Sequence, residues 1–243
     1  MPIDGKDIRI LIINGSPRKN SNSAKFVEKA SEGVKSLGAT SVVYEMAGKR
    51  IEPCLENCKA YHIKTGNCTI DDDMHELANE WISADGIIYV VPLFHMGAPA
   101  AMYALITRLG ATVFGHSFGK VPRLLKVGGS IVHGNTQYGG QELLMEYLNA
   151  HLMLMNCLPV TSDMPESYIG VGARVLKDRT IERNDEILLS SYILGVRVVE
   201  VAKIINAGKA ELRDSLPKEY LYDKNRKFCA PKKKTGDSKK KQE

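Results

Sequence analysis

The sequence predicts an α/β protein built on an open, doubly wound parallel sheet, and three observations carry that prediction. Short runs rich in β-branched residues and lacking polar alternation recur at residues 8–13, 86–91 and 124–132, and such runs read as strands buried on both faces. Stretches with apolar residues three and four apart separate them, as crossover helices require. The loops after the first, third and fourth strands have unusual composition. In an open α/β sheet, ligands bind beyond the carboxyl ends of the strands, where strand order reverses. Five strand–helix units suit this open sheet better than the eight-unit barrel.

The first unit runs strand, polar loop, helix. The apolar run at 8–13 ends in Asn14-Gly15, and the loop that follows holds Ser16, Arg18, Asn20, Ser21, Asn22 and Ser23. Backbone N–H groups at a helix start, aided by the dipole, favour an anion. The hydroxyls and amides add donors, and Arg18 adds a charged fork. No Gly-x4-Gly-Lys-Ser/Thr follows Gly15, which excludes a Walker A loop. Gly15 is the only glycine there, so a Gly-x-Gly-x-x-Gly dinucleotide fingerprint is absent. Two readings stand on these residues: a loop for a terminal monophosphate, and a solvated turn whose Ser or Asn merely caps the helix.

The remaining elements follow in order. Val27, Ala30, Val34 and Leu37 mark the first helix, with Gly38 placed as its terminating glycine. Residues 40–46 form a second strand. Residues 49–71 lack any steady period and read as a long loop. Asp72 and Asp73 precede the helical stripe Met74, Leu77, Ala78, Trp81 and Ile82. The third strand closes at Pro92, and residues 98–109 form an apolar helix. The fourth strand leads through a glycine-bearing loop, 133–140, into a helix from Gln141 to about Met155. A fifth strand is expected at 157–161, and the last helix at about 184–207.

Charge excludes a nucleic-acid protein more firmly than the net value of +5 suggests. Residues 217–243 hold ten Lys or Arg and four Asp or Glu, leaving 23 basic and 24 acidic residues in 1–216. All the excess positive charge therefore belongs to a lysine-rich end, which reads as a solvated, flexible tail beyond a 1–216 domain. Neither a leader pattern nor a long apolar run is present, since Arg108 interrupts the longest candidate. A cytoplasmic protein with no membrane partner is expected. Five cysteines, Cys54, Cys58, Cys68, Cys157 and Cys229, are an odd number, which argues against a disulfide framework.

Four pieces of the chain carry a likeness. They are Gly15-Ser-Pro-Arg-Lys-Asn-Ser-Asn-Ser23, Cys68-Thr-Ile-Asp-Asp-Asp-Met74, Asp85-Gly-Ile-Ile-Tyr-Val-Val-Pro-Leu-Phe94 and Gly139-Gly-Gln-Glu142. With them the sequence resembles the NADPH-dependent FMN reductase family, including its iron–sulfur flavoprotein branch, within the flavodoxin-like fold. The resemblance implies a five-stranded sheet of order 2-1-3-4-5. It implies that Ser16, Arg18, Asn20, Ser21, Asn22 and Ser23 hold the phosphate of FMN. It places Pro92, Leu93, Phe94, His95, Met96 and Gly97 along the isoalloxazine ring, with Gly134 and Gly139 on the loop flanking the flavin edge. His95 departs from the residue types expected there and reads as a plain loop histidine. The spacing Cys54-x3-Cys58-x9-Cys68 has no nearby fourth cysteine, so neither a four-iron cluster nor a zinc site including His62 is expected. The implied activity is an FMN-dependent oxidoreductase using NADPH or NADH, with a small-molecule or redox-protein acceptor and a homodimer or homotetramer as the assembly. Because the cofactor carries such chemistry, no catalytic acid or base is assigned. The rival is a flavodoxin-type electron carrier.

Overall fold

In the computed structural model, strands β1 (Arg9–Asn14), β2 (Thr40–Glu45), β3 (Gly86–Pro92), β4 (Val127–Gly134), β5 (Leu158–Pro159) and β6 (Val171–Arg174) join in one parallel sheet. The structure describes residues 3–55, 61, 64–65, 67–115, 123–163, 167–220, 224–225 and 227–228. Strand order is β2-β1-β3-β4-β5, with β6 also paired to β4. This is the flavodoxin-like order, and its reversal lies between β1 and β3.

The fifth strand differs from expectation because it is broken. β5 pairs with the start of β4, Leu158 opposite Val127, whereas β6 pairs with its end, Val171 opposite Ile131 through Arg174 opposite Gly134. Val160 still donates to the Gly128 carbonyl at 2.7 Å, and the chain then leaves the sheet. It returns at Gly170, where a Cβ would meet Ser130 Oγ and Met145 Sδ at 2.8 Å. Only glycine permits that approach.

Among the described residues, five helices cover the sheet: α1 (Ser23–Ser36), α2 (Met74–Ser83), α3 (Ala100–Gly115), α4 (Gln141–Leu154) and α5 (Asn184–Glu211). Side chains alternate along each strand, so β1 and β3 feed two cores. Ile10, Ile12, Ile88 and Val90 pack with Phe26, Val34, Leu194 and Val198 of α1 and α5. Leu11, Ile13, Ile87 and Tyr89 pack with Trp81, Met102, Leu105 and Leu148 of α2, α3 and α4. Helices α1 and α5 cross closely at two glycines. A Cβ on Gly33 would lie 2.0 Å from the Tyr192 carbonyl oxygen, and one on Gly195 would lie 2.2 Å from that of Ala30. This crossing fixes α1, and with it the loop at its amino end.

The packed body continues past Leu216. Phe228 is buried in the second core, and Asn79 grips its backbone, Phe228 N donating to Asn79 Oδ1 at 2.7 Å and Asn79 Nδ2 to the Phe228 carbonyl at 3.0 Å. Lys224 pairs with Asp85. The domain end expected at Leu216 therefore falls short by about a dozen residues. Burying one phenylalanine is worth about 1.5–3 kcal/mol, and the Asn79 hydrogen bonds and the Lys224–Asp85 pair add to it. The lysine-rich residues 229–243 lie outside the described residues. No described helix is long and apolar enough to cross a membrane.

Candidate functional site

The site begins where β1 ends. Gly15 N donates to the Val90 carbonyl at 2.8 Å, which ties the loop to β3. A Cβ on Gly15 would meet Met102 Cγ at 2.9 Å, so the close turn requires glycine. Asn14 is buried; its Nδ2 donates to Glu45 Oε2 at 2.8 Å, and its Oδ1 accepts from Ser16 N at 3.2 Å. Ser16 is buried too, and its Oγ bonds within the turn to Arg18. Ser16 thus shapes the loop from beneath. Asn20 takes a positive φ of 52°, a conformation asparagine tolerates. Helix α1 has no side-chain cap hydrogen bond and no acidic residue in its first turn. The capping reading of this loop is not realised by a side chain: Ala24 N and Lys25 N donate to the Ser21 and Asn22 carbonyls at 3.1 and 3.3 Å, and the dipole at this end still favours an anion.

A cleft of about 410 Å³ opens at the carboxyl ends of the strands. Arg18, Lys19, Asn20, Ser21 and Asn22 form one wall, Pro92, Leu93 and Phe94 a second, and His133, Gly134 and Asn135 a third. The fourth wall is Val175, Leu176, Lys177 and Arg179, in the connection after β6. Among the described residues, four cations line this cleft and no carboxylate does. Ser21 Oγ is buried and has no hydrogen-bond partner. A buried hydroxyl without a partner costs about 1–3 kcal/mol, and a bound acceptor removes that cost.

His133 joins two walls. Its Nε2 lies 2.7 Å from Ser23 Oγ, and its ring stacks on Phe26 with centroids 5.1 Å apart. Burial, with the charge of Arg18 adding to it, pushes the imidazole down from 6.5 to about 4. The ring is therefore neutral at pH 7, one nitrogen donating and the other accepting. Ser23 is wholly buried in this pair. Like Ser16, it braces the loop rather than lining the cleft.

The second loop bends sharply after Phe94. Phe94 N donates to the Gly97 carbonyl at 2.8 Å and Gly97 N to that of Phe94 at 2.9 Å, with His95 and Met96 between them at φ 47° and 65°. Two consecutive non-glycine residues at positive φ store strain of the kind found at ligand sites. His95, Met96 and Gly97 do not line the cleft, and Met96 is 58% exposed. The third loop packs against this turn: a Cβ on Gly140, at φ +98°, would meet Met96 Cβ at 3.0 Å. Buried Gln141 locks the third loop, its Nε2 donating to the Thr136 carbonyl at 2.6 Å and its Oε1 accepting from Gly139 N at 3.0 Å. Gly134 lines the cleft and Gly139 does not.

Of the residues expected from sequence, Arg18, Asn20, Ser21, Asn22, Pro92, Leu93, Phe94 and Gly134 therefore converge on one cleft. Lys19, His133, Asn135, Lys177 and Arg179 join them without having been anticipated. The available signal was a pair of cations, Lys177 and Arg179, in a stretch with no assigned element.

The cysteines form a different environment. Cys68 is buried and accepts from Arg108 Nη2 at 3.3 Å; Arg108, itself buried, pairs bidentately with Asp72 and donates to the Glu52 carbonyl at 3.0 Å. Among the described residues, no three His, Cys, Asp or Glu side chains group to hold a metal ion. Cys58, His62 and Cys229 lie outside the described residues.

The cleft fits a phosphorylated flavin: cations without an ion-pair partner among the described residues and an orphaned hydroxyl for a phosphate, and apolar Leu93 and Phe94 for a flat ring. The comparisons with known proteins agree. An iron-sulfur flavoprotein of Methanocaldococcus jannaschii is 29% identical over 82% of this chain and 99% of its own. Another, of Archaeoglobus fulgidus, is 31% identical over 66% of this chain and 80% of its own. The solved structure of RosB with bound 8-demethyl-8-formylriboflavin-5'-phosphate shares the fold, with a TM-score of 0.59 at 14% identity, over 97% of this chain and all of that one. The family model described as NADPH-dependent FMN reductase matches residues 8–164, and the chain belongs to that family.

Proposed function

We propose that this protein is an FMN-dependent oxidoreductase that draws reducing equivalents from NADPH or NADH and passes them to a small-molecule or protein acceptor. The observation that carries the proposal is the cleft at the strand ends, where a buried, partnerless Ser21 hydroxyl lies among four unpaired cations. FMN, when bound, would supply the hydride and electron-transfer chemistry. The chain's own residues bind and orient. Arg18, Asn20, Ser21 and Asn22 would hold the phosphate by charge-assisted hydrogen bonds. Neutral His133 holds Ser23, and so the amino end of α1, in place beneath it. Pro92, Leu93, Phe94 and Gly134 would border the ring, with the Gln141-locked third loop pressing on the Phe94–Gly97 turn.

Exposed Phe94 and Met96 leave apolar surface beside the cleft where a nicotinamide can approach. Tyr103, Leu143, Tyr147 and Met153 expose further apolar surface on α3 and α4, and we assign to it the contact of a homodimer or homotetramer. The decisive experiment is anaerobic mixing of the FMN-loaded protein with NADPH and, separately, NADH. Rapid bleaching of the flavin band by either supports the reductase. A flavin that neither nucleotide reduces, but that reduced ferredoxin does, identifies an electron carrier instead.

A further inference from the structure

We propose that the hairpin at residues 175–181 is a phosphate clamp, with Lys177 and Arg179 closing over the flavin phosphate from the side opposite Arg18. The inference rests on the reading of the cleft as an FMN site and adds a wall to it. The hairpin is built on a fixed base. Val175 and Ile181 are buried and paired antiparallel, Val175 N donates to the Gly134 carbonyl at 2.7 Å, and Glu182 N to the Arg174 carbonyl at 2.9 Å. Its tip is tightly turned: Leu176 N donates to the Thr180 carbonyl at 2.8 Å, Arg179 N to that of Leu176 at 2.9 Å, and Arg179 takes a φ of 67°. The one carboxylate at the tip, Asp178, turns to Thr180 N at 2.9 Å and does not line the cleft.

The pairing of charges separates the cations facing the cleft from their neighbours. Just outside it, Arg174 pairs with Glu182 at 3.2 Å, Arg197 with Asp163 at 2.7 Å, and Arg183 with Glu186. Among the described residues, Arg18, Lys19, Lys177 and Arg179 have no ion-pair partner. Four uncompensated charges around one concavity repel one another and favour a dianion between them. A phosphomonoester carries nearly two negative charges at pH 7. The hairpin is also joined to two other walls of the cleft. Its base is bonded to the end of β4, and β4's His133 contacts Ser23 and Phe26 at the amino end of α1. These contacts tie the hairpin's base to the amino end of α1 through His133, and to the ring wall at Leu93 through Gly134.

The test compares FMN with riboflavin, which lacks the phosphate, on wild type and on the Lys177→Ala/Arg179→Asn variant. Both side chains are exposed and unpaired, and asparagine tolerates the positive φ, so the fold should persist; circular dichroism and the melting temperature check it. The clamp predicts FMN binding about tenfold weaker for each charge-assisted contact removed, with riboflavin binding unchanged. It also predicts that the melting-temperature rise produced by inorganic phosphate in the flavin-free wild type is largely lost in the variant. If wild type prefers FMN and the variant keeps the same preference, the clamp is overturned and the flavin site stands. If neither flavin binds folded wild type, the flavin reading falls, and the phosphate-induced shift decides whether the hairpin holds phosphate at all. A raised KM for NADPH with unaltered FMN affinity would reassign the hairpin to the nucleotide and overturn the clamp.

Discussion

Replacing His133 with phenylalanine separates the hydrogen bond from the packing at the centre of the cleft. Phenylalanine preserves the ring stacked on Phe26, but leaves Ser23 Oγ without its partner at 2.7 Å. An orphaned buried hydroxyl costs about 1–3 kcal/mol, so at pH 7.5 the variant should be less stable by that amount. The pH dependence then works the other way. The folded-state value for His133 is pushed down from 6.5 to about 4. The unfolded chain therefore takes up a proton that the folded chain refuses between those values. The stability contributed by the neutral ring is complete above 6.5 and declines as pH falls toward 4. At pH 5, one and a half units below the unfolded value, the loss is about 2 kcal/mol. The variant has no such loss, so its deficit should shrink to nearly nothing. His151, also buried and pushed down to about 4, contributes the same slope to both proteins and cancels. Urea denaturation of the flavin-free proteins at the two pH values measures the gap. A gap that stays constant between pH 7.5 and 5 would refute a buried neutral His133.

Three further outcomes follow from the same contacts. Ser21→Ala should weaken FMN binding about tenfold, the scale of a hydrogen bond to a charged group, while the flavin-free protein melts no lower because an unpaired polar atom has gone; fluorescence titration and a thermal scan read the two effects. Asp72→Ala should cost about 3–5 kcal/mol by leaving Arg108 charged and buried, and Arg108→Met in the same chain should recover much of it in urea melts. Gly195→Ala should lower stability by about 1–3 kcal/mol, since the added methyl would sit 2.2 Å from the Ala30 carbonyl; the double variant with Gly33→Ala should be worse still.

The sheet was readable because strands buried on both faces cannot alternate, and residues 86–91 show that directly. Gly38, at φ 76°, ends α1's turn as its position in the sequence suggests. The broken fifth strand was not readable: Val171-Gly-Ala-Arg174 has two small residues and one cation, and its place depends on Gly170 touching β4. The polar βα loop after β1 was legible from its composition, yet the different positions of its serines were not. Ser16 and Ser21 look alike in sequence; one is consumed within its turn and the other is left without a partner. His133 and Ser23 are 110 residues apart, and only the fold brings the amino end of α1 beside the end of β4. Lys177 and Arg179 are ordinary loop cations until the lack of any carboxylate opposite them is seen. Gly33 and Gly195 are where α1 and α5 touch, a contact that the pattern of neither helix shows by itself.

Whether this cleft holds one FMN by its phosphate is decided by calorimetric titration of flavin-free protein with FMN and then with riboflavin. One FMN per chain, bound far more tightly than riboflavin, is the predicted result. Folded protein that takes up no FMN, or that binds riboflavin equally well, would contradict it.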